Sequence, residues 1–310
     1  MRLATYRSSV DAAEHVAVVG DGELRLLRDP VSLVELLAAG PDAIASAAAS
    51  AQADPLEVVD EHVAAVSPRL RAPIPVPPSV RDFMAFEEHV VTSTRAFGRT
   101  VDPFWYEAPA FYFTNPAAIA GPNDTIAVPP GCTRFDYELE VAVVIGRGGS
   151  DIPVGEAAHH IAGYTLLADW SARDLQFKEI PIGLGPVKAK DSATSLGPWL
   201  VTPDELDPAL GLDMTASVNG REYSRGRLSD LYWSFPQMIS YASRGTRLVP
   251  GDILGSGTVG TGCILELAGV HGEEKYPWLV PGDTVRLAVD GLGAVETTVH
   301  AGLATPHPLS

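Results

Sequence analysis

Hydrophobic and polar positions change rhythm along the chain, and the rhythm predicts its elements. Residues 2–8 and 15–19 read as short strands. Asp21-Gly22 is a hairpin signal before a third strand at 23–27. Residues 31–39 read as a helix closed by Gly40-Pro41, and Pro41–Ala53 is Ala-rich and helical. Ala72-Pro73-Ile74-Pro75-Val76-Pro77-Pro78 favours an extended connector. Beyond it, short apolar runs are punctuated by Pro122-Asn123-Asp124, Asn219-Gly220, Pro250-Gly251-Asp252, Pro281-Gly282-Asp283 and Asp290-Gly291. Asn219-Gly220 lies between strand-like 214–218 and 221–223, a hairpin pattern. Helices are expected at 171–178 and 235–243. The expectation is a β-dominated α+β chain, with a small N-terminal α+β domain over 1–75 and a larger domain over 76–310. No βαβ alternation and no Gly-rich phosphate loop is present.

The most informative segment is 135–146, Phe-Asp-Tyr-Glu-Leu-Glu-Val-Ala-Val-Val-Ile-Gly. Its period of two puts Phe135, Tyr137, Leu139, Val141 and Val143 on one face and Asp136, Glu138 and Glu140 on the other. Same-side carboxylates repel unless water, protons or a cation intervene. A hard ion such as Mg²⁺ or Ca²⁺ would remove the repulsion. The alternative is a half-buried strand with a solvated acidic face. Residues 164–168 read as a strand that delivers Asp169 to a cleft. Ser171 and Asp174 have capping-box spacing, which gives Asp174 a structural role. Arg173 and Gln176 are three apart and share a helix face, whose bland reading is a solvated surface.

Of 310 residues, 46% are hydrophobic, enough for a large core. The net charge of −17, from 22 basic and 39 acidic residues, opposes nucleic-acid binding and adhesion to anionic membranes. Cys132 and Cys263 form no Cys-x-x-Cys pattern and make no disulfide framework. No signal-peptide pattern or membrane-length apolar run is present, so a cytoplasmic protein is expected. Five histidines are read as non-functional: His159 and His160 on a surface helix, His271 in a polar turn, and His300 and His307 near the terminus.

Three segments together resemble the fumarylacetoacetate hydrolase family: Glu138-Leu139-Glu140, Asp169-Trp170-Ser171-Ala172-Arg173-Asp174, and 248–258, Leu-Val-Pro-Gly-Asp-Ile-Leu-Gly-Ser-Gly-Thr. The resemblance covers about residues 76–300. It implies a mixed β-sandwich roll, a homodimer, and one Mg²⁺, Mn²⁺ or Ca²⁺ per site, with Mg²⁺ favoured. The family's metal carboxylates map onto Glu138, Glu140 and Asp169. Asp82, seven residues before His89 as in fumarylacetoacetases, resembles a fourth ligand, and His89 the general base. Glu266 resembles the carboxylate that orients this histidine; its bland reading is an outward-facing strand residue. Lys190 resembles the lysine that joins Arg173 and Gln176 at the oxyanion, with Lys188 a rival. Thr258 and Tyr112 resemble substrate-binding residues. Departures fall in the pocket. Ile180 stands where fumarylacetoacetases carry a tyrosine, 259–263 is short, and Arg95 and Arg99 both miss the spacing of the substrate arginine.

The resemblance implies metal-dependent hydrolysis of a C–C bond in an acylpyruvate-like or β-diketo acid. A 2-oxo or 1,3-diketo acid chelates a hard cation, and a base with its orienting carboxylate can activate water. Two rivals remain. One is isomerisation, hydration or decarboxylation of a 2-oxo-dienoic acid. The other is a non-catalytic metabolite-binding protein that keeps its metal for stability.

Overall fold

The computed structural model describes residues 1–96, 98–207 and 211–303. Its centre is a 12-stranded mixed sheet. Ten strands run in the order Val58–Asp60, Glu23–Leu26, Glu14–Gly20, Arg2–Arg7, Thr194–Val201, Ile161–Asp169, Leu139–Ile145, Ile253–Gly255, Val80–Phe83 and Phe111–Thr114. Leu70–Arg71 and Ile119–Ala120 pair off this path. Arg2–Arg7 pairs with Thr194–Val201, so the N-terminal strands extend the same sheet. A second sheet packs five strands in the order Arg221–Arg227, Asp213–Val218, Thr284–Val289, Gly293–His300 and Ile126–Ala127. The β-dominated architecture agrees with the sequence.

Local chemistry explains most elements. Ser32 and Glu35 cap each other at the start of the helix Leu33–Ala39. The hairpin turns at Asn219 and Gly220, both at positive φ (52° and 76°), which this pair tolerates. The helices Arg173–Glu179 and Phe235–Ala242 lie close to their expected places.

The segment 135–146 departs from a half-buried strand. Phe135–Asp136 pairs with Ser171–Ala172, and Leu139–Ile145 enters the large sheet. Every residue of Leu139–Ile145 is buried. Leu139, Val141, Val143 and Ile145 face one core, and Ala142 and Val144 face another. Two apolar layers therefore cover this strand, and a solvated acidic face is excluded.

Four smaller expectations also fail. The helix at 171–178 starts at Arg173 without a side-chain cap. Ser171 Oγ instead donates to the Asp169 carbonyl, and Asp174 accepts from the Thr133 amide and hydroxyl. Glu266 lies on the helix Ile264–His271 rather than on a strand, and His271 closes that helix. His300 ends the strand Gly293–His300, because pairing with Thr284–Val289 and Ile126–Ala127 orders it. His307 lies outside the described residues. His159 and His160 end a short 3-10 stretch, Val154–His160, on the surface.

Candidate active site and metal centre

Strand register gathers four carboxylates. Ile253–Gly255 lies between Leu139–Ile145 and Val80–Phe83, pairing Gly255 with Ala142 on one side and Asp82 on the other. A Cβ at Gly255 would stand 2.7 Å from Asp82 Oδ1 and 3.0 Å from Glu140 Oε2. Only the missing side chain lets Asp82 and Glu140 meet across this strand. Asp169 arrives at the end of Ile161–Asp169, where its amide donates to the Glu138 carbonyl at 3.2 Å. Asp82, Glu138, Glu140 and Asp169 each present an oxygen within 4.8 Å of the others, and all four are buried.

This cluster is over-supplied with negative charge. Burial, then Asp169, pushes the Asp82 carboxyl up to about 8. Burial, then Asp82 and Glu138, raises Glu140 well above the usual range. Burial also raises Asp169, against the pull of Lys190. Burial alone would raise Glu138 too, but Lys190, Arg173 and His89 outweigh it and hold the carboxyl below its ordinary range. Asp82 Oδ1, Glu140 Oε1 and Asp169 Oδ1 have no hydrogen-bond partner despite complete burial. Such oxygens are costly unless something answers them. An all-carboxylate set fits a hard divalent ion, the class of Mg²⁺, Mn²⁺ and Ca²⁺.

The cations of the site are equally buried. Lys190 Nζ bonds Glu138 Oε2 at 2.5 Å and Asp169 Oδ2 at 2.6 Å. Its rival Lys188 is exposed and pairs with Asp191, away from the carboxylate cluster. Arg173 donates from Nε to Asp136 (2.8 Å), from Nη2 to Glu138 (2.7 Å) and from Nη1 to Gln176 Oε1 (2.9 Å). Its face of the helix is therefore buried, not solvated. Tyr112 donates to Asp82 Oδ2 at 3.0 Å and to Asp169 Oδ2.

His89 lies on the helix Glu87–Ala96, which packs against Ile264–His271. Its Nδ1 is 2.9 Å from Glu266 Oε2, and both side chains are buried. The Thr261 amide donates to Glu266 Oε1 at 3.2 Å, and the Cys263 thiol donates to Oε2 at 3.4 Å. Burial beside Glu266 raises the Cys263 thiol well above its normal range. His89, Glu138, Arg173, Gln176, Lys190, Tyr112 and Thr258 all line one cavity of about 590 Å³. Asp82 lines it as well, while Glu140 and Asp169 adjoin it through the carboxylate cluster and Glu266 through His89. Of the two candidate substrate arginines, Arg99 lines the cavity and Arg95 does not.

Sequence reasoning placed Asp136 on the acidic face but gave it no task. It is fully buried and accepts from Arg173 and from the amides of Ile264 (2.7 Å) and Leu265 (3.0 Å). One carboxylate thus holds Arg173 and also caps the helix that carries Glu266, which has no local side-chain cap. Its place in the same alternating row as Glu138 and Glu140 was the available signal. Cys263 beside Glu266 had no signal in the sequence.

The fumarylacetoacetate (FAA) hydrolase C-terminal family model matches residues 79–300. The chain belongs to the fumarylacetoacetate hydrolase family. An uncharacterised protein of Pyrococcus abyssi is 35% identical over 198 residues, 63% of this chain and 81% of that protein. The fold of this family member is similar to that of a fumarylacetoacetate hydrolase from Exiguobacterium antarcticum. That structure has a TM-score of 0.74 and 25% identity, with 97% of this chain and 100% of the other covered. It is also similar to a 5-carboxymethyl-2-hydroxymuconate delta-isomerase from Mycobacterium smegmatis, at a TM-score of 0.70 and 25% identity over 97% and 100% of the two chains. The family therefore spans hydrolases and isomerases.

Proposed function

We propose that this chain is a metal-dependent hydrolase that cleaves a C–C bond in an acylpyruvate-like or other β-diketo acid. The observation that carries the reading is the buried His89–Glu266 pair at 2.9 Å, in the wall of the cavity that holds the carboxylate cluster. Asp82, Glu138, Glu140 and Asp169 would hold the divalent ion, which supplies Lewis acidity toward substrate oxygens when bound.

The chain's own groups then divide the work. With Nδ1 directed at Glu266, His89 keeps Nε2 to take a proton from water, and Glu266 stabilises the imidazolium. Water adds to the carbonyl distant from the carboxylate, and an oxyanion develops there. Arg173 occupies the Gln176 carbonyl, which leaves that side chain's amide N–H groups to donate to the oxyanion. Lys190 has a third N–H beyond the two given to Glu138 and Asp169. Loss of one such donor costs about 3–4 kcal/mol of transition-state stabilisation. The C–C bond breaks, its electron pair leaves as an enolate, and His89 returns the proton to carbon. The products are a carboxylic acid and a 2-oxo acid.

Turnover of acetylpyruvate, read as loss of enol absorbance with Mg²⁺ or Mn²⁺ and then with chelator, tests the reading. Metal-dependent release of pyruvate and acetate is expected. No decay across a panel of acylpyruvates and β-diketo acids, with folded and metal-loaded protein, would refute it. A second reading, isomerisation of a 2-oxo-dienoic acid, is favoured by the likeness to a delta-isomerase, and the same base can move a proton between carbons. Hydration and decarboxylation of such acids belong with it. Product mass separates them: hydrolysis yields two fragments, isomerisation an unchanged mass.

A further inference from the structure

The cavity of about 590 Å³ exceeds what a three-carbon 2-oxo acid fills. Much of its buried polar lining is tied into one cluster: Tyr112 to Asp82 and Asp169, Lys190 to Glu138 and Asp169, Arg173 to Glu138 and Gln176. The remaining wall is mainly apolar and includes Val90, Phe104, Phe111, Ile180, Pro186 and Leu265, with Ser93, Thr94 and Thr100 among its polar residues. Its buried cations are already committed. Lys190 and Arg173 each answer two carboxylates. Arg99 also lines the cavity, but it is exposed, and an ion pair made in contact with water contributes little. No buried, unengaged cation among the described lining residues waits for a second substrate carboxylate, so a charged tail held against the apolar wall would lack a buried partner.

We propose that the substrate is a 2,4-dioxo acid whose acyl tail is an uncharged alkyl or aryl group, with Ile180 setting that preference. The inference rests on the hydrolase reading above. Ile180 is half-buried and directly follows the helix Arg173–Glu179, which also supplies Arg173 and Gln176. Its position relative to the polar cluster is therefore fixed by one short element. Lengthening an apolar tail in such a pocket raises kcat/KM by about tenfold or more.

The test compares kcat/KM, with Mg²⁺ present, for acetylpyruvate, hexanoylpyruvate and a chain-matched analogue of hexanoylpyruvate that ends in a carboxylate. Wild type should favour hexanoylpyruvate over each of the others by at least about tenfold. Ile180→Lys should shrink the preference over the carboxylate-ended tail by a similar factor, because it adds the missing cation. Equal rates on all three, or a preference for the carboxylate-ended tail, would overturn the inference. If none is turned over, calorimetric binding of 2-oxooctanoate and 2-oxooctanedioate decides. Tighter binding of the monoacid keeps the tail assignment while the hydrolase reading falls. Equal binding, tighter diacid binding, or binding of neither overturns the tail assignment itself.

Discussion

Replacing Asp136 by Asn should damage stability and turnover together, although it is absent from the ligand and base assignments. Its carboxylate takes four hydrogen bonds: Arg173 Nε at 2.8 Å, the Ile264 and Leu265 amides at 2.7 and 3.0 Å, and the Tyr137 amide at 2.8 Å. Asn keeps the oxygen that serves Tyr137 and Ile264. It sets an amide NH₂ against the Leu265 N–H and the Arg173 Nε–H, so donor faces donor twice. Arg173 retains Glu138 and stays charged in a fully buried place. Breaking one side of a buried ion pair typically costs about 3–5 kcal/mol, because the remaining charge is uncompensated. We expect a loss of that size in urea unfolding with a divalent ion present. The kcat should fall about tenfold or more, since Arg173 and the helix bearing Glu266 both lose their anchor. Glu156→Gln, at an exposed surface pair with His159, should stay within about 0.5 kcal/mol. A loss under about 1 kcal/mol with unchanged kcat in Asp136→Asn would refute the anchoring role.

Three further predictions follow from the same geometry. Glu266→Gln should keep the fold and lower kcat by about 10²–10⁴-fold, because the His89 imidazolium loses its countercharge; an unchanged kcat and pH profile in steady-state kinetics would contradict the pairing. Glu138 is lowered and acts in the opposite sense, but Asp82, Glu140 and Asp169 are all raised, so these three favour the folded chain most below the ordinary values of 3.8 for Asp and 4.5 for Glu. In chelator that contribution should fade as pH rises toward about 8 for Asp82, whereas Mg²⁺ should restore it; a pH-independent gap between Mg²⁺ and chelator in thermal unfolding would count against the shared-charge description. Gly255→Ala should weaken Mg²⁺ binding by about 10–100-fold in calorimetry, because the new methyl meets Asp82 and Glu140; wild-type affinity would show that the cluster relaxes freely.

The pattern of the chain carried a great deal. The Asn219-Gly220 hairpin, the helix before Gly40-Pro41 and the alternation over 135–146 were legible because they depend on neighbours in sequence. The spacing of Asp82 and His89 and the Glu138, Glu140 and Asp169 pattern pointed to one site, and the fold collects those residues. The rest depends on contacts far apart along the chain. Alternation alone could not tell a solvated acidic face from one sealed between two cores, because a second apolar layer supplied by distant strands makes that difference. Glu266 lies 177 residues from His89, and a helix start capped by Asp136 rather than by a local residue hid its secondary structure. Spacing to Gly197-Pro198-Trp199 favoured Lys190 over Lys188, but that Lys190 is buried against Glu138 and Asp169 while Lys188 is exposed is a matter of tertiary structure. Periodicity and motif spacing therefore determined which residues could do chemistry, while strand register and burial decided which charges had to face one another without water.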